Sequence, residues 1–196
     1  MAALPQPAPT KSEQAEKSPE TERCDVGQLT FRTIQQEMDL DEVMRIEGEA
    51  FPSNEQANRE RVSFRIQQAG DVFMGAFLGE RMVAFVASTI AHDRLTQESL
   101  QNHDPQGNVL CLHSIAVEAA RRRKGLGDRV LDYYLNHFLP AVLPAHYPNV
   151  REVRLIAKEH LSHFYQKHGF RDEGPSEVHF GEPVWRDFVR PFPLNT

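Results

Sequence analysis

The side chains of Cys111, His113 and Tyr165 can hold or move a proton, and the segment Arg122-x-x-Gly125-x-Gly127 can hold an anion with its backbone. An imidazole titrates near ~6.5, so His113 suits a general base at neutral pH, and the phenol of Tyr165, inside His163-Phe164-Tyr165-Gln166-Lys167-His168-Gly169-Phe170, suits a proton donor. Side chains alternate along a strand, which would put Cys111, His113, Ile115 and Val117 on one face. The same residues also fit plainer roles: a small buried hydrophobe beside a hydrogen-bonded histidine, and an amphipathic tyrosine at the surface.

The glycine pattern follows an apolar run and opens a helix, where unpaired N–H groups and the helix dipole favour phosphate and glycine lets the backbone approach closely. A simple turn is the alternative. No Lys-Ser or Lys-Thr follows the second glycine and no third glycine completes a Gly-x-Gly-x-x-Gly pattern, so neither a nucleotide P-loop nor a dinucleotide fold is indicated. His160, His163 and His168 follow the order Glu-His-x-x-His without a completing carboxylate or cysteine, and read as a polar helix face, not a metal set. Arg121-Arg122-Arg123-Lys124 flanks the candidate phosphate loop and does not imply nucleic acid in an acidic chain. Ser12 and Ser18, the latter before Pro19, are possible phosphorylation sites.

Strand and helix signals surround these residues. Leu29 to Ile34 alternates as a first strand; Asp39 and Glu42 make a capping-box spacing ahead of a helix from about Leu40 to Ala50. A second short helix carries Val62 and Ile66 and ends before Gly70. Val72–Leu78 and Met82–Ile90 form a hairpin across Gly79-Glu80-Arg81, and residues 91–107 form a loop. Val109–Val117 is apolar enough to be a central strand covered on both faces, followed by the glycine loop and a helix that lasts until Pro140. Glu152–Ile156 is a further strand, His160–His168 a short helix closed by Gly169, and Phe170–Phe192 holds two last strands.

Composition limits the function classes. The chain has 196 residues, 40% hydrophobic and 26% charged, which fits one soluble domain and excludes collagen, wholesale disorder and a disulfide mini-scaffold. Residues 1–27 hold Pro5, Pro7, Pro9 and Pro19 with few large aliphatics and read as a disordered tail; residues 28–196 form the domain. The net charge of -6 argues against nucleic acid as the main ligand and permits cationic substrates. Cys24 and Cys111 do not suit a bridge, no apolar run approaches the ~20 residues of a membrane-spanning helix, and residues 1–20 lack the basic-then-apolar order of a secretory signal, so a cytoplasmic protein is expected.

Taken in order and spacing, Leu112-His113-Ser114-Ile115-Ala116-Val117, the Arg122-x-x-Gly125-x-Gly127 loop and Phe164-Tyr165-x-x-x-Gly169-Phe170 resemble the GNAT superfamily of acetyl-CoA-dependent N-acetyltransferases, over roughly Leu29 to Phe192. With Glu49-Ala50-Phe51-Pro52 and Glu173-Gly174-Pro175, the chain looks most like the arylalkylamine (serotonin) N-acetyltransferases and the related fungal polyamine acetyltransferases. The resemblance implies an α/β (α+β) fold whose mixed, mostly antiparallel seven-stranded sheet splays at strands 4 and 5, with about four flanking helices. It implies that backbone N–H groups of Arg123, Lys124, Gly125, Leu126, Gly127 and Asp128 hold the pyrophosphate of acetyl-CoA. The pantetheine arm would pair with the backbone of Ile115, Ala116 and Val117, leaving an N–H for the developing oxyanion. Tyr165 falls on the family's proton donor to the departing thiolate, and His113 on one of two histidines that drain the substrate's proton. Cys111 stands where the second would be, and a thiol with a reference pKa near ~8.5 is a poor relay.

Phe51, Pro52, Ile156 and Trp185 fall on or near positions that wall the amine pocket, which suits an aromatic substrate; core packing explains them as well. A polyamine would instead need carboxylates, for which Glu47, Glu49, Asp93 and Glu98 are candidates. The expectation is therefore a cytoplasmic, monomeric acetyl-CoA:arylalkylamine N-acetyltransferase working by direct attack, without metal, nucleic acid or membrane. Polyamine acetylation, protein acetylation and a non-catalytic acetyl-CoA sensor are the alternatives.

Overall fold

The computed structural model describes residues 29–178 and 184–192; the tail over 1–27 and both Cys24 and the serines in it lie outside the described residues. Seven strands form one sheet in the order β1-β2-β3-β4-β5-β7-β6: β1 Leu29–Thr33, β2 Met74–Leu78, β3 Arg81–Ala91, β4 Val109–Val117, β5 Glu152–Lys158, β6 Arg171–Pro175 and β7 Trp185–Pro191. All neighbouring pairs are antiparallel except β4 with β5. That parallel pair is held at three positions, Val109 to Glu152, Leu110 to Val153 and Cys111 to Arg154, beyond which the strands part. The sheet is thus the expected mixed, mostly antiparallel one, open between its fourth and fifth strands.

Helices cover both faces. On one lie α1 (Gln36–Ala50) and α2 (Arg59–Ala69), packed on Phe73, Phe77 and Phe85 through Val43, Ile46, Val62 and Ile66. On the other, α3 (Leu126–Tyr133), α4 (Leu139–His146) and the helical turn between them bury Val130, Leu131, Tyr134 and Leu139 against Val86, Leu110 and Leu112. Tyr134, fully buried, satisfies its hydroxyl between the Val72 carbonyl (2.8 Å) and the Ser88 hydroxyl (2.7 Å). The short α5 (Ser162–Lys167) follows β5 and ends at Gly169, whose φ of +82° closes the turn.

Three expectations need correction. Helix α1 begins at Gln36, ahead of the proposed cap, because Asp39 is used from inside the first turn: its carboxylate accepts the Gln35 N–H at 2.7 Å and the Arg32 guanidinium at 2.6 and 2.9 Å. The helix after the glycine loop does not stop at Pro140. A π-helical stretch, Tyr134–Phe138, widens the turn just before it, and Pro140 occupies the first turn of α4, where no helical N–H is needed. The third concerns β4. Ala87 of β3 pairs with Ser114 and Ser88 with Leu112, so His113 is an extra residue in a β-bulge. Alternation resets there. Cys111 and His113 share the α1/α2 face, but Ile115 and Val117 fall on the α3/α4 face with Leu112.

Candidate active site

Where β4 and β5 part, a cleft of about 680 Å³ opens, floored by the second half of β4 and walled by the α1–α2 connection, α2, β5 and α5. Past Cys111 the β5-facing edge of β4 has no strand partner among the described residues, so its peptide groups from Leu112 to Val117 are open on that side.

At one end of the cleft lies the glycine loop. Gly125 has φ +79°, a left-handed conformation that favours glycine, and Arg123 adopts +59° beside it. The backbone N–H groups from Arg123 to Asp128 find no carbonyl acceptor among the described residues, and the first helical bond runs from Arg129 to Gly125. Six free donors at a helix N-terminus make an anion cradle. Tethers fix it: Glu49 accepts the Ala119 N–H at 2.8 Å, and Arg122 donates to the carbonyls of Val117 and Glu49. Arg123 and Gly127 line the cleft, whereas Lys124 and Gly125 are exposed behind them, Leu126 is buried in the core, and Asp128 pairs with Lys167 at 2.7 Å.

The residues expected to do proton chemistry meet in the middle. His113 faces the cleft, half-buried, with its Nε2 2.7 Å from the Thr89 hydroxyl. Burial, then the nearby Arg65 and Arg61 guanidinium groups, push its pKa well below the ordinary imidazole value, so the ring is neutral at pH 7. Tyr165 lines the opposite wall, with its ring packed on Phe170 and Phe188 and its hydroxyl unpartnered among the described residues. Burial raises its pKa, which keeps the phenol protonated. Cys111 is not part of this group. It is buried among Ala91, Leu95, Leu100 and Val109, and burial pushes its thiol up to about 12.

Of the backbone positions expected along the arm of a cosubstrate, Ile115 and Val117 line the cleft, and Ala116 points into the core beside Phe85. The four expected wall residues, Phe51, Pro52, Ile156 and Trp185, all line the cleft, with Lys158 stretched over the Trp185 ring at 5.6 Å and tied to Glu55 at 2.6 Å. The carboxylates divide. Glu47 lines the cleft, Glu49 is used by the loop, and exposed Asp93 and Glu98 lie outside it. Against Glu47 and Glu55, the cleft presents Arg61, Arg65, Arg122, Arg123 and Lys158.

Thr89, Arg61 and Arg65 were not anticipated as site residues. Thr89 reaches His113 only because of the bulge, which no local pattern marks. Arg65 carried a signal: it sits within the apolar stripe of Val62, Ile66 and Ala69 on α2, where a charge has no ordinary reason to be. Among the described residues no cluster of three His, Cys, Asp or Glu could hold a metal, and no helix is long and apolar enough to cross a membrane.

Comparison with known proteins agrees with this geometry. A family model described as an acetyltransferase (GNAT) domain matches residues 70–172. Serotonin N-acetyltransferase of Mesocricetus auratus is 37% identical over 112 residues, 57% of this chain and 51% of that protein; the human counterpart is 32% identical over the same length. The chain thus spans about half the length of the curated relatives it matches. Among solved structures, the loading GNATL domain of CurA from Lyngbya majuscula superposes with a TM-score of 0.70 at 19% identity, covering 84% of this chain and 98% of that one. The PaiA N-acetyltransferase of Thermoplasma acidophilum, solved with coenzyme A, gives 0.58 at 17%, covering 84% and 99%.

Proposed function

The chain belongs to the GNAT acetyltransferase family, and from that premise we propose that it transfers the acetyl group of acetyl-CoA to the primary amine of a small arylalkylamine by direct attack in a ternary complex. The observation that carries this reading is the meeting, in one cleft, of a six-donor anion cradle, an unpaired strand edge, a neutral imidazole and a protonated phenol.

The residues present fit the cosubstrate. The N–H groups of Arg123 to Asp128 would hold its pyrophosphate, with Arg122 and Arg123 adding charge, and the open edge of β4 at Ile115, Ala116 and Val117 would take its extended arm as an added strand. Bound there, acetyl-CoA supplies a thioester activated toward an amine. His113 accepts the proton that the acceptor's nitrogen must lose, directly or through water, and its depressed pKa keeps the ring unprotonated and ready. A free N–H on the β4 edge would stabilise the charge that develops on the thioester oxygen of a cosubstrate paired along that edge. Tyr165 holds its proton on Oη at neutral pH and gives it to the departing sulfur.

Phe51, Pro52, Ile156 and Trp185 supply an apolar, aromatic wall for a ring, in line with the serotonin acetyltransferase relatives. The charge balance favours a ring over a polyamine: with Glu55 paired to Lys158 and Arg122 and Arg123 at the phosphate end, the one remaining lining carboxylate, Glu47, faces Arg61 and Arg65. Direct attack is favoured over an acetyl-cysteine because the Cys111 thiol is buried, neutral and outside the lining of the cleft. The test is CoA-thiol release with tryptamine, serotonin and phenethylamine against spermidine and spermine. Turnover with the aromatic amines is expected, and preference for the polyamines would overturn the substrate assignment.

A further inference from the structure

Arg65 makes no hydrogen bond or ion pair among the described residues. Its Nε is buried without a hydrogen bond, its terminal nitrogens make none either, and no carboxylate oxygen among the described residues comes within 4.0 Å. The residue is only 9% exposed, yet its side chain lines the cleft. A guanidinium largely removed from water, with no hydrogen bond and only Glu47 in electrostatic reach, is unfavourable, and packing alone does not call for it, since methionine or leucine would fill the space. Desolvation pulls its pKa down to about 10, still well above neutrality, so the charge persists.

The surroundings sharpen the question. Arg61 lies one turn earlier on the same face of α2, also lines the cleft, and is steadied by the Gln101 carbonyl at 2.6 Å. Two cations at this spacing repel, so the pair is doubly in need of an anion. The buried Glu47 interacts with Arg65 electrostatically, but one of its oxygens accepts the Ala57 N–H at 2.8 Å, it comes no closer than 4.0 Å to the guanidinium, and burial raises its pKa. The cosubstrate's phosphates have their own cradle at the other end, on the N-terminus of α3. What Arg65 faces is the acceptor end, beside His113 on the α1/α2 face of β4.

We propose that Arg65, assisted by Arg61, is an anion subsite for the acceptor, and that the preferred acceptor is an aromatic amine carrying a carboxylate, such as an aromatic amino acid. The planar fork of a guanidinium matches a carboxylate with two parallel hydrogen bonds, and in a desolvated pocket that match discriminates strongly against an acceptor lacking the group. The amino group then lies between His113 and the remaining oxygen of Glu47, while the ring uses the Phe51 and Trp185 wall. This inference rests on the transferase reading and narrows its substrate.

The test compares kcat/KM of CoA-thiol release for L-tryptophan with tryptamine and for L-phenylalanine with phenethylamine, in the parent protein, Arg65→Met and Arg65→Lys. The parent is expected to favour each amino acid at least tenfold. Arg65→Met should reverse that ratio, and Arg65→Lys, which keeps the charge without the fork, should fall between. Calorimetric binding of indole-3-propionate, which has the carboxylate and no amine, reads the subsite without turnover: the parent binds it and Arg65→Met does not. Sodium sulfate competing as tightly as indole-3-propionate would mean a site for free anions and would overturn the acceptor assignment. Amines turned over as well as amino acids by parent and variant alike would remove the subsite and leave the transferase standing. Arg65-dependent binding of indole-3-propionate with no turnover of any amine would do the reverse.

Discussion

Thr89 and His113 stand on neighbouring antiparallel strands, and a β-bulge at His113 brings Nε2 within 2.7 Å of the Thr89 hydroxyl. A base needs a free lone pair, and this contact engages one of the two ring nitrogens: when Nε2–H donates to Thr89, Nδ1 is the proton acceptor, and when the Thr89 hydroxyl donates, Nε2 is occupied and Nδ1 carries the hydrogen. Thr89→Val keeps the shape of the side chain and removes the hydroxyl that holds the ring. Loss of one such hydrogen bond is worth roughly 1.4 kcal/mol, so kcat is expected to fall about tenfold with the acetyl-CoA Kd little changed. Steady-state kinetics with equilibrium binding checks it, and an unchanged kcat would remove Thr89 from the positioning of the base.

Tyr165→Phe removes only the hydroxyl from a ring packed against Phe170 and Phe188. Because burial keeps that proton in place at neutral pH, its role as donor predicts a fall in kcat of about 10²-fold or more. Binding of acetyl-CoA should hardly move. If turnover survived intact, the departing sulfur would need no help from this residue.

The depressed pKa of His113 also has a sign for stability. The unfolded chain binds a proton at this histidine near pH ~6.5, while the folded chain resists it to lower pH, so between the two values the unfolded state carries more protons and stability rises with pH. Acidification from pH 6.5 should therefore destabilise the protein. His103, which burial also holds down, adds to the same slope. His113→Gln should flatten the acid side of a plot of unfolding free energy against pH without steepening the alkaline side. An unaltered slope would mean that the ring is not held neutral.

Much of the sheet was legible because each strand carries its own evidence: Val109–Val117 is apolar throughout, and Gly79-Glu80 marks the hairpin between β2 and β3. The start of the glycine loop and the position of Tyr165 were legible for the same reason, as local patterns. What local pattern could not give was anything set by a distant partner. The bulge at His113 depends on pairing with β3, and it alone moves Ile115 and Val117 to the opposite face. Asp39 looks like a cap until Arg32 claims its carboxylate. Pro140 looks like a stop because a π-helical turn, which has no sequence code, was not available to relieve it.

Gly125 is the point in the anion cradle where φ is +79°. No atom crowds the position a β-carbon would take, so Gly125→Ala tests conformation alone. Forcing alanine into the left-handed region costs about 1–2 kcal/mol. If the loop shifts to escape that strain, the six N–H groups lose their convergence. The expected result is a KM for acetyl-CoA raised about tenfold or more with a smaller change in the acceptor KM. An equal rise in both would indicate general disturbance of the cleft and not of the phosphate cradle.

Cys111 separates the catalytic reading from a covalent one. Its thiol is held at about 12, buried beside Val109 and Leu100, and is not part of the lining of the cleft that His113 and Tyr165 share. At neutral pH almost no thiolate exists there, and attack on a thioester requires the thiolate. Cys111→Ala should therefore keep most of kcat, losing stability modestly through the small void left in the cluster. The native protein should resist iodoacetamide at this position while remaining active. Acetylated Cys111 trapped after mixing with acetyl-CoA, detected by intact mass and peptide mapping, would contradict both the geometry and the direct transfer derived from it.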